Sequence, residues 1–168
     1  QGNTLIFTTS FGFMNPTIKV AEEFSNTKFE HATGYKTSAN VNTYNARFYE
    51  GRYLAGMVAG KMSKTGQLGY VAAFPIPEVL QGINAFALGA RSVNPKVQVR
   101  VVWVNSWYDP GKERDAANTL IGQGADVVTR AAIDQGEAGD GGEDVLGALA
   151  VGGAVAAAAA GGGAQHQG

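Results

Sequence analysis

The chain has 168 residues, 45% of them apolar and 10% aromatic, which suffices for a domain with a real core and is too much for a disordered chain. The net charge of −1 is unevenly spread: residues 1–130 hold all 13 basic and 9 of the 14 acidic side chains, and residues 131–168 hold 5 acidic and no basic ones. Neither part has the basic density that nucleic-acid binding requires, and the lack of cysteine excludes disulfides, thiolate metal sites and cysteine nucleophiles.

The chain opens on Gln1-Gly2-Asn3, without a basic or apolar leader, and enters a β-prone run at once. This reads as entry in mid-domain, with any export signal upstream. Thr4–Thr9 is a strand, Ser10–Asn15 a loop, and Pro16 opens a helix to about Phe24 with Asn15 as its N-cap. Lys28–Ala32 is a second strand, ending in a turn at Thr33-Gly34-Tyr35. The spacing of Val41, Tyr44, Phe48, Ala55, Val58 and Met62 then predicts one apolar helix face, with Gly51, Gly56, Ala59 and Gly60 allowing close approach.

From Lys64 the pattern becomes more regular. Gln67–Ala73 is a strand, and Glu78–Ser92 a helix with Val79, Ile83, Phe86, Ala87 and Ala90 inward. Val97–Val104 is a strand, Pro110–Ile121 a helix capped by Asp109 and stopped by Gly122 and Gly124, and Ala125–Thr129 a further strand. That is βαβαβ, half of a doubly wound parallel sheet, with both helices expected on one face. Residues 131–168 differ: Gly and Ala supply 23 of these 38 residues. Residues 145–164 are uncharged enough to raise a membrane span, although small residues and six glycines weaken it. A disordered low-complexity tail is the main alternative, and a non-native junction is another, since every basic and aromatic residue stops after Arg130.

Open parallel α/β sheets bind ligands beyond the carboxyl ends of their strands. That rule selects Ser10–Phe13, Thr33–Tyr35, Ala73–Pro77, Asn105–Tyr108 and Thr129–Arg130. Four of these stretches carry rings: Phe11 and Phe13, Tyr35, Phe74, and Trp107 with Tyr108. The rings can stack on a flat ligand, or they can cap the core of the sheet; both readings stand. Other motifs fail. Gly56–Met62 resembles a phosphate loop but is one residue short, and Met62 replaces the Ser or Thr that holds magnesium. His31 has no second ligand at metal spacing, the acidic run Asp134–Glu143 lacks calcium-loop spacing, and no paired carboxylates or Ser-His-Asp set supports a hydrolase.

Three stretches carry a likeness to a known family: Thr8–Met14, His31-Ala32-Thr33-Gly34-Tyr35-Lys36, and Tyr44-Asn45-Ala46-Arg47-Phe48-Tyr49-Glu50-Gly51-Arg52-Tyr53-Leu54-Ala55-Gly56. Gly69-Tyr70-Val71, Phe74–Val79, Gly82–Phe86, Gly89–Pro95, Trp103–Lys112 and Gly124–Val127 continue it in order. With these motifs the chain resembles the basic membrane protein family, substrate-binding lipoproteins of ABC importers that include purine nucleoside receptors. The resemblance implies a type I periplasmic-binding fold of two Rossmann-like lobes, here an incomplete fragment with a Gly/Ala-rich tail. Residues 1–64 would be the later part of the first lobe and 65–130 the opening of the second. It further implies a non-enzymatic extracytoplasmic receptor without cofactor or metal, which passes a purine base or nucleoside to an ABC permease. A sugar or other small polar ligand is the alternative, and an inactive truncated piece a further one. The ligand residues would be Ser10, Phe11, Gly12, Phe13, Tyr35, Phe74, Asn105, Trp107 and Tyr108, with Trp107 stacking on the base.

Overall fold

The computed structural model describes residues 2–131 and 149–151, so most of the Gly/Ala-rich stretch lies outside the described residues. The chain divides into two compact units, Gln1–Arg47 and Phe48–Gly168.

In the first unit β1 (Leu5–Thr9), β2 (Lys28–Ala32) and β3 (Val41–Tyr44) form a parallel sheet in that order. Ile6, Phe29 and Val41 project from it to meet Met14, Ile18 and Ala21 of α1 (Met14–Glu23). His31 lies fully buried on that same side, its Nδ1 2.8 Å from the carbonyl of Ala32. The register puts Leu5, Phe7 and Tyr44 on the opposite face, where they are 50%, 62% and 47% exposed.

Two expectations are corrected here. Val41–Tyr44 is strand rather than the start of a helix, because backbone pairing with β2 overrides a spacing that four residues can match by chance. The first helix starts at Met14, not Pro16, running on from a 3-10 turn at Phe11–Phe13. Pro16 still falls in the first helical turn, where its missing N–H costs nothing.

The second unit comprises α2 (Phe48–Met62), β4 (Gln67–Ala72), α3 (Pro77–Val93), β5 (Gln98–Trp103), α4 (Pro110–Gly122), β6 (Val127–Ala131) and β7 (Leu149–Val151). The strand order is β5-β4-β6-β7, with β4, β5 and β6 parallel and the unexpected β7 antiparallel on β6. Leu68, Tyr70 and Ala72 of β4 pack against Ala55 and Ala59 of α2 and Val79, Phe86 and Ala90 of α3. Val71 turns the other way, toward Ala116 and Leu120 of α4. The helices α3 and α4 therefore lie on opposite faces, not on one. The chain steps from β4 to β5 and back past β4 to β6, and reversing direction under a constant right-handed crossover moves the helix to the other side.

The buried face of α2 also differs from its large-residue spacing. Ala55, Gly56, Ala59 and Gly60 are buried, whereas Leu54, Val58 and Met62 are 59%, 50% and 43% exposed. Glycines explain the choice: a Cβ on Gly56 would overlap the carbonyl of Phe86, and one on Gly89 the carbonyl of Tyr53. The two helix backbones touch, so α2 packs with α3 in the second unit. At the amino end of the sheet, Asp126 accepts hydrogen bonds from Ser63 Oγ (2.6 Å), Lys64 N (2.6 Å) and Thr65 N (2.9 Å), fastening the turn between α2 and β4. Burial alone would raise the Asp126 pKa, but these donors outweigh it and hold the carboxyl below its ordinary value.

Candidate ligand-binding surfaces

The first unit presents two loops beyond its strand ends. Ser10 follows β1 with φ 71° and ψ 144°, and Thr33 follows β2 with φ 62°. Non-glycine residues adopt such conformations only when their surroundings hold them there. After Ser10 the 3-10 turn sets Phe11 against Tyr35, ring centroids 5.2 Å apart at 24°. Gly34 is enclosed, since a Cβ there would stand 2.6 Å from Thr43 Cγ2 and 2.9 Å from Met14 Sδ, so the chain is packed tightly up to Tyr35. Gly12 and Phe13 are exposed, Phe13 at 62%. Ser10, Phe11, Gly12, Phe13 and Tyr35 thus share one end of this unit.

In the second unit the strand order reverses at β4, which makes the gap between the carboxyl ends of β4 and β6 the topological switch point. Phe74 lies just beyond β4, half-buried, its ring 5.1 Å from that of Trp107 and tilted 58°. Trp107 is also half-buried and packs on the core beneath α3. It therefore caps the core while staying partly accessible. The loop is pinned by hydrogen bonds from Val104 N to Ala72 O and Asn105 N to Ala73 O, both 2.9 Å. Asn105 is exposed at φ 51°, and Tyr108 is 57% exposed.

The stretch Thr129–Arg130, selected at the strand ends, carries an ion pair that the sequence does not reveal. Glu113, in the first turns of α4 and 8% exposed, pairs with Arg130 near the end of β6, close to Ala73, Val104 and Ser106. The Arg130 carbonyl accepts a hydrogen bond from Arg52 Nη1 at 3.1 Å. The available signal is the single charge, Arg130, near the end of the strand Val127–Ala131. The Asp109 side chain caps α4 by accepting from Lys112 N at 3.0 Å; chiefly this backbone bond, with the Lys112 side chain, lowers the Asp109 pKa. Among the described residues no group of His, Asp or Glu could hold a metal, and no helix is long and apolar enough to cross a membrane.

Residues 1–139 match the family model of the PnrA-like ABC transporter substrate-binding proteins. The chain belongs to that family. It is 65% identical over 129 residues to a purine-binding protein of Brucella abortus, covering 77% of this chain and 37% of that one. It is 53% identical over 131 residues, covering 77% and 34%, to a protein of Haloferax volcanii provisionally named a glucose-binding protein of an ABC transporter. A crystal structure of an ABC transporter solute-binding protein from Aeropyrum pernix superposes with a TM-score of 0.66 at 23% identity, over 77% of this chain and 39% of that one. The fold is that of the periplasmic-binding class. The chain spans little more than a third of the length of the two curated relatives.

Proposed function

We propose that the two units are parts of the two lobes of an extracytoplasmic receptor for an ABC importer, and that its ligand is a purine base or nucleoside held between them. The supporting observation is the pairing of rings at the strand ends of each unit: Phe11 with Tyr35, and Phe74 with Trp107. Flat heteroaromatic rings stack on such surfaces with about 1–3 kcal/mol per base. Ser10, Gly12, Phe13, Asn105 and Tyr108 complete the ligand side, and a membrane permease is the partner that receives the ligand.

The relative in Haloferax volcanii favours a second reading, a hexose ligand, since aromatic faces also bind sugars. Isothermal titration calorimetry separates the two, using adenine, guanosine, inosine and glucose. The titrations are run on this chain and on a chimera in which residues 2–131 replace the matching segment of the Brucella abortus relative. Heat with a purine and none with glucose is expected. Heat with glucose alone sinks the purine assignment and leaves the fold untouched.

A further inference from the structure

Lys36 lies at the ligand-side end of the first unit, next to Tyr35. Lys36 donates from Nζ to Asn15 Oδ1 at 2.6 Å and stands 5.6 Å from the centroid of the Tyr35 ring, over its face. Asn15 belongs to the first turn of α1, just after the loop that carries Phe11 and Phe13. Thr33 at φ 62° turns the chain, and a Cβ at Gly34 would meet Thr43, Met14 and His31, so the segment leading into Tyr35 and Lys36 runs close against packed side chains. Among the described residues no carboxylate lies within salt-bridge distance of Lys36. An exposed lysine ordinarily samples many rotamers. Here the amide and the ring already restrict the side chain, which lowers the ordering cost of binding.

An ammonium has three N–H donors and no acceptor. Asn15 takes one donor, and the others are available beside the stacked Phe11 and Tyr35 rings. A flat ligand set beside the ring pair, rather than on the Tyr35 face that Lys36 covers, would bring its edge within reach of the ammonium. We infer that Lys36 contacts the ligand and reads an unprotonated ring nitrogen on the edge of the heteroaromatic base, an inference that rests on the purine reading above. Asn15 is its positioning residue: it aims the ammonium without touching the ligand. This chemistry favours bases that present an acceptor at that edge over those that present C–H or N–H.

The test pairs one substitution with ligand analogues. Purine and its 1-, 3- and 7-deaza forms, each with one ring nitrogen replaced by C–H, are titrated into the chain and into the Brucella chimera. Wild type should lose about tenfold or more in affinity for one deaza form, the size of a charge-assisted hydrogen bond. Lys36→Met should bind purine about tenfold more weakly and no longer distinguish that deaza form. Asn15→Ala should give a smaller loss with the same analogue preference as wild type. A merely structural role for Lys36 would lower affinity for all four ligands alike, and thermal melting of each variant reports folding separately. The inference is overturned if Lys36→Met binds purine as wild type does, or keeps the wild-type ranking of deaza forms. Absence of purine binding by the unsubstituted proteins refutes the purine reading itself and is seen before any variant is made.

Discussion

Replacing Gly89 or Gly56 with alanine should destabilise the second unit, against the direction that helix propensity predicts. In an exposed helix interior, Gly to Ala gains about 1 kcal/mol. Here the new methyl has no room. At Gly89 it would overlap the Tyr53 carbonyl oxygen and stand 2.8 Å from its carbon, and at Gly56 it would overlap Phe86 O and stand 3.0 Å from Ala90 N. These neighbours are backbone atoms of packed helices, so no side chain can rotate away. The helices must separate by about 1 Å, and a gap of that size forfeits roughly half the dispersion energy of the contacts it opens. Overpacking of this kind costs about 1–3 kcal/mol and sometimes more. Net of the propensity gain, a loss of about 1 kcal/mol, and up to about 2, is expected for each variant. Urea unfolding followed by circular dichroism measures it. Gly122→Ala is the control, because nothing lies within 4 Å of its Cβ position; it should be neutral or slightly stabilising. A rise in the midpoint for Gly89→Ala, matching the control, would refute the backbone contact between α2 and α3.

Asp126→Asn should weaken the clamp on Ser63, Lys64 and Thr65 by about 1–2 kcal/mol in urea titrations at neutral pH. The folded pKa of Asp126 is lowered, so its contribution is present above the ordinary value of 3.8 and is lost as the pH falls through the folded value; Asp126→Asn should lack that acid-limb loss. Trp107→Ala should reduce purine affinity by about 10- to 100-fold in calorimetry, with Trp107→Phe retaining most of it; equal affinity for all three proteins would remove Trp107 from the site. Phe7→Ser should reduce binding of an apolar fluorescent dye to the open sheet face of Leu5, Phe7 and Tyr44, while changing stability by no more than about 0.5 kcal/mol.

The parts legible from sequence were those that local chemistry decides. Asp109-Pro110 starts α4, Gly122 and Gly124 end it, and the β-branched runs on either side pair as strands, because caps, stops and strand propensity act within a few residues. Non-local choices were not legible. Val41–Tyr44 pairs with β2 from across a turn, and the face that α2 buries is set by what α3 can admit. The side on which α4 packs follows from the strand order, which no window of sequence contains. The candidate site divides in the same way. The rings were visible individually at strand ends, but the pairing of Phe11 with Tyr35, of Glu113 with Arg130 and of Lys36 with Asn15 needed the fold.

Backbone strain separates the two ends of the strands, and the separation yields a final prediction. On the amino side of the sheet in the second unit, positive φ falls on Gly66 and Gly124, where a left-handed conformation has little cost. Beyond the carboxyl ends it falls on Ser10, Thr33 and Asn105, which carry side chains. Ser10, at φ 71° and ψ 144°, occupies a region essentially confined to glycine, at a cost of about 1–3 kcal/mol. If conformation alone mattered at that position, glycine would serve better. Retaining serine there is reasonable if its hydroxyl is used, and the Ser10 side chain caps nothing in the 3-10 turn that follows. Ser10→Gly should therefore raise stability by about 1 kcal/mol, the strain relieved exceeding the added flexibility of the unfolded chain, and should lower ligand affinity. Thermal melting and calorimetry on the same preparation measure the two effects. A variant that gains stability and keeps full affinity would show that the strain at Ser10 serves no ligand.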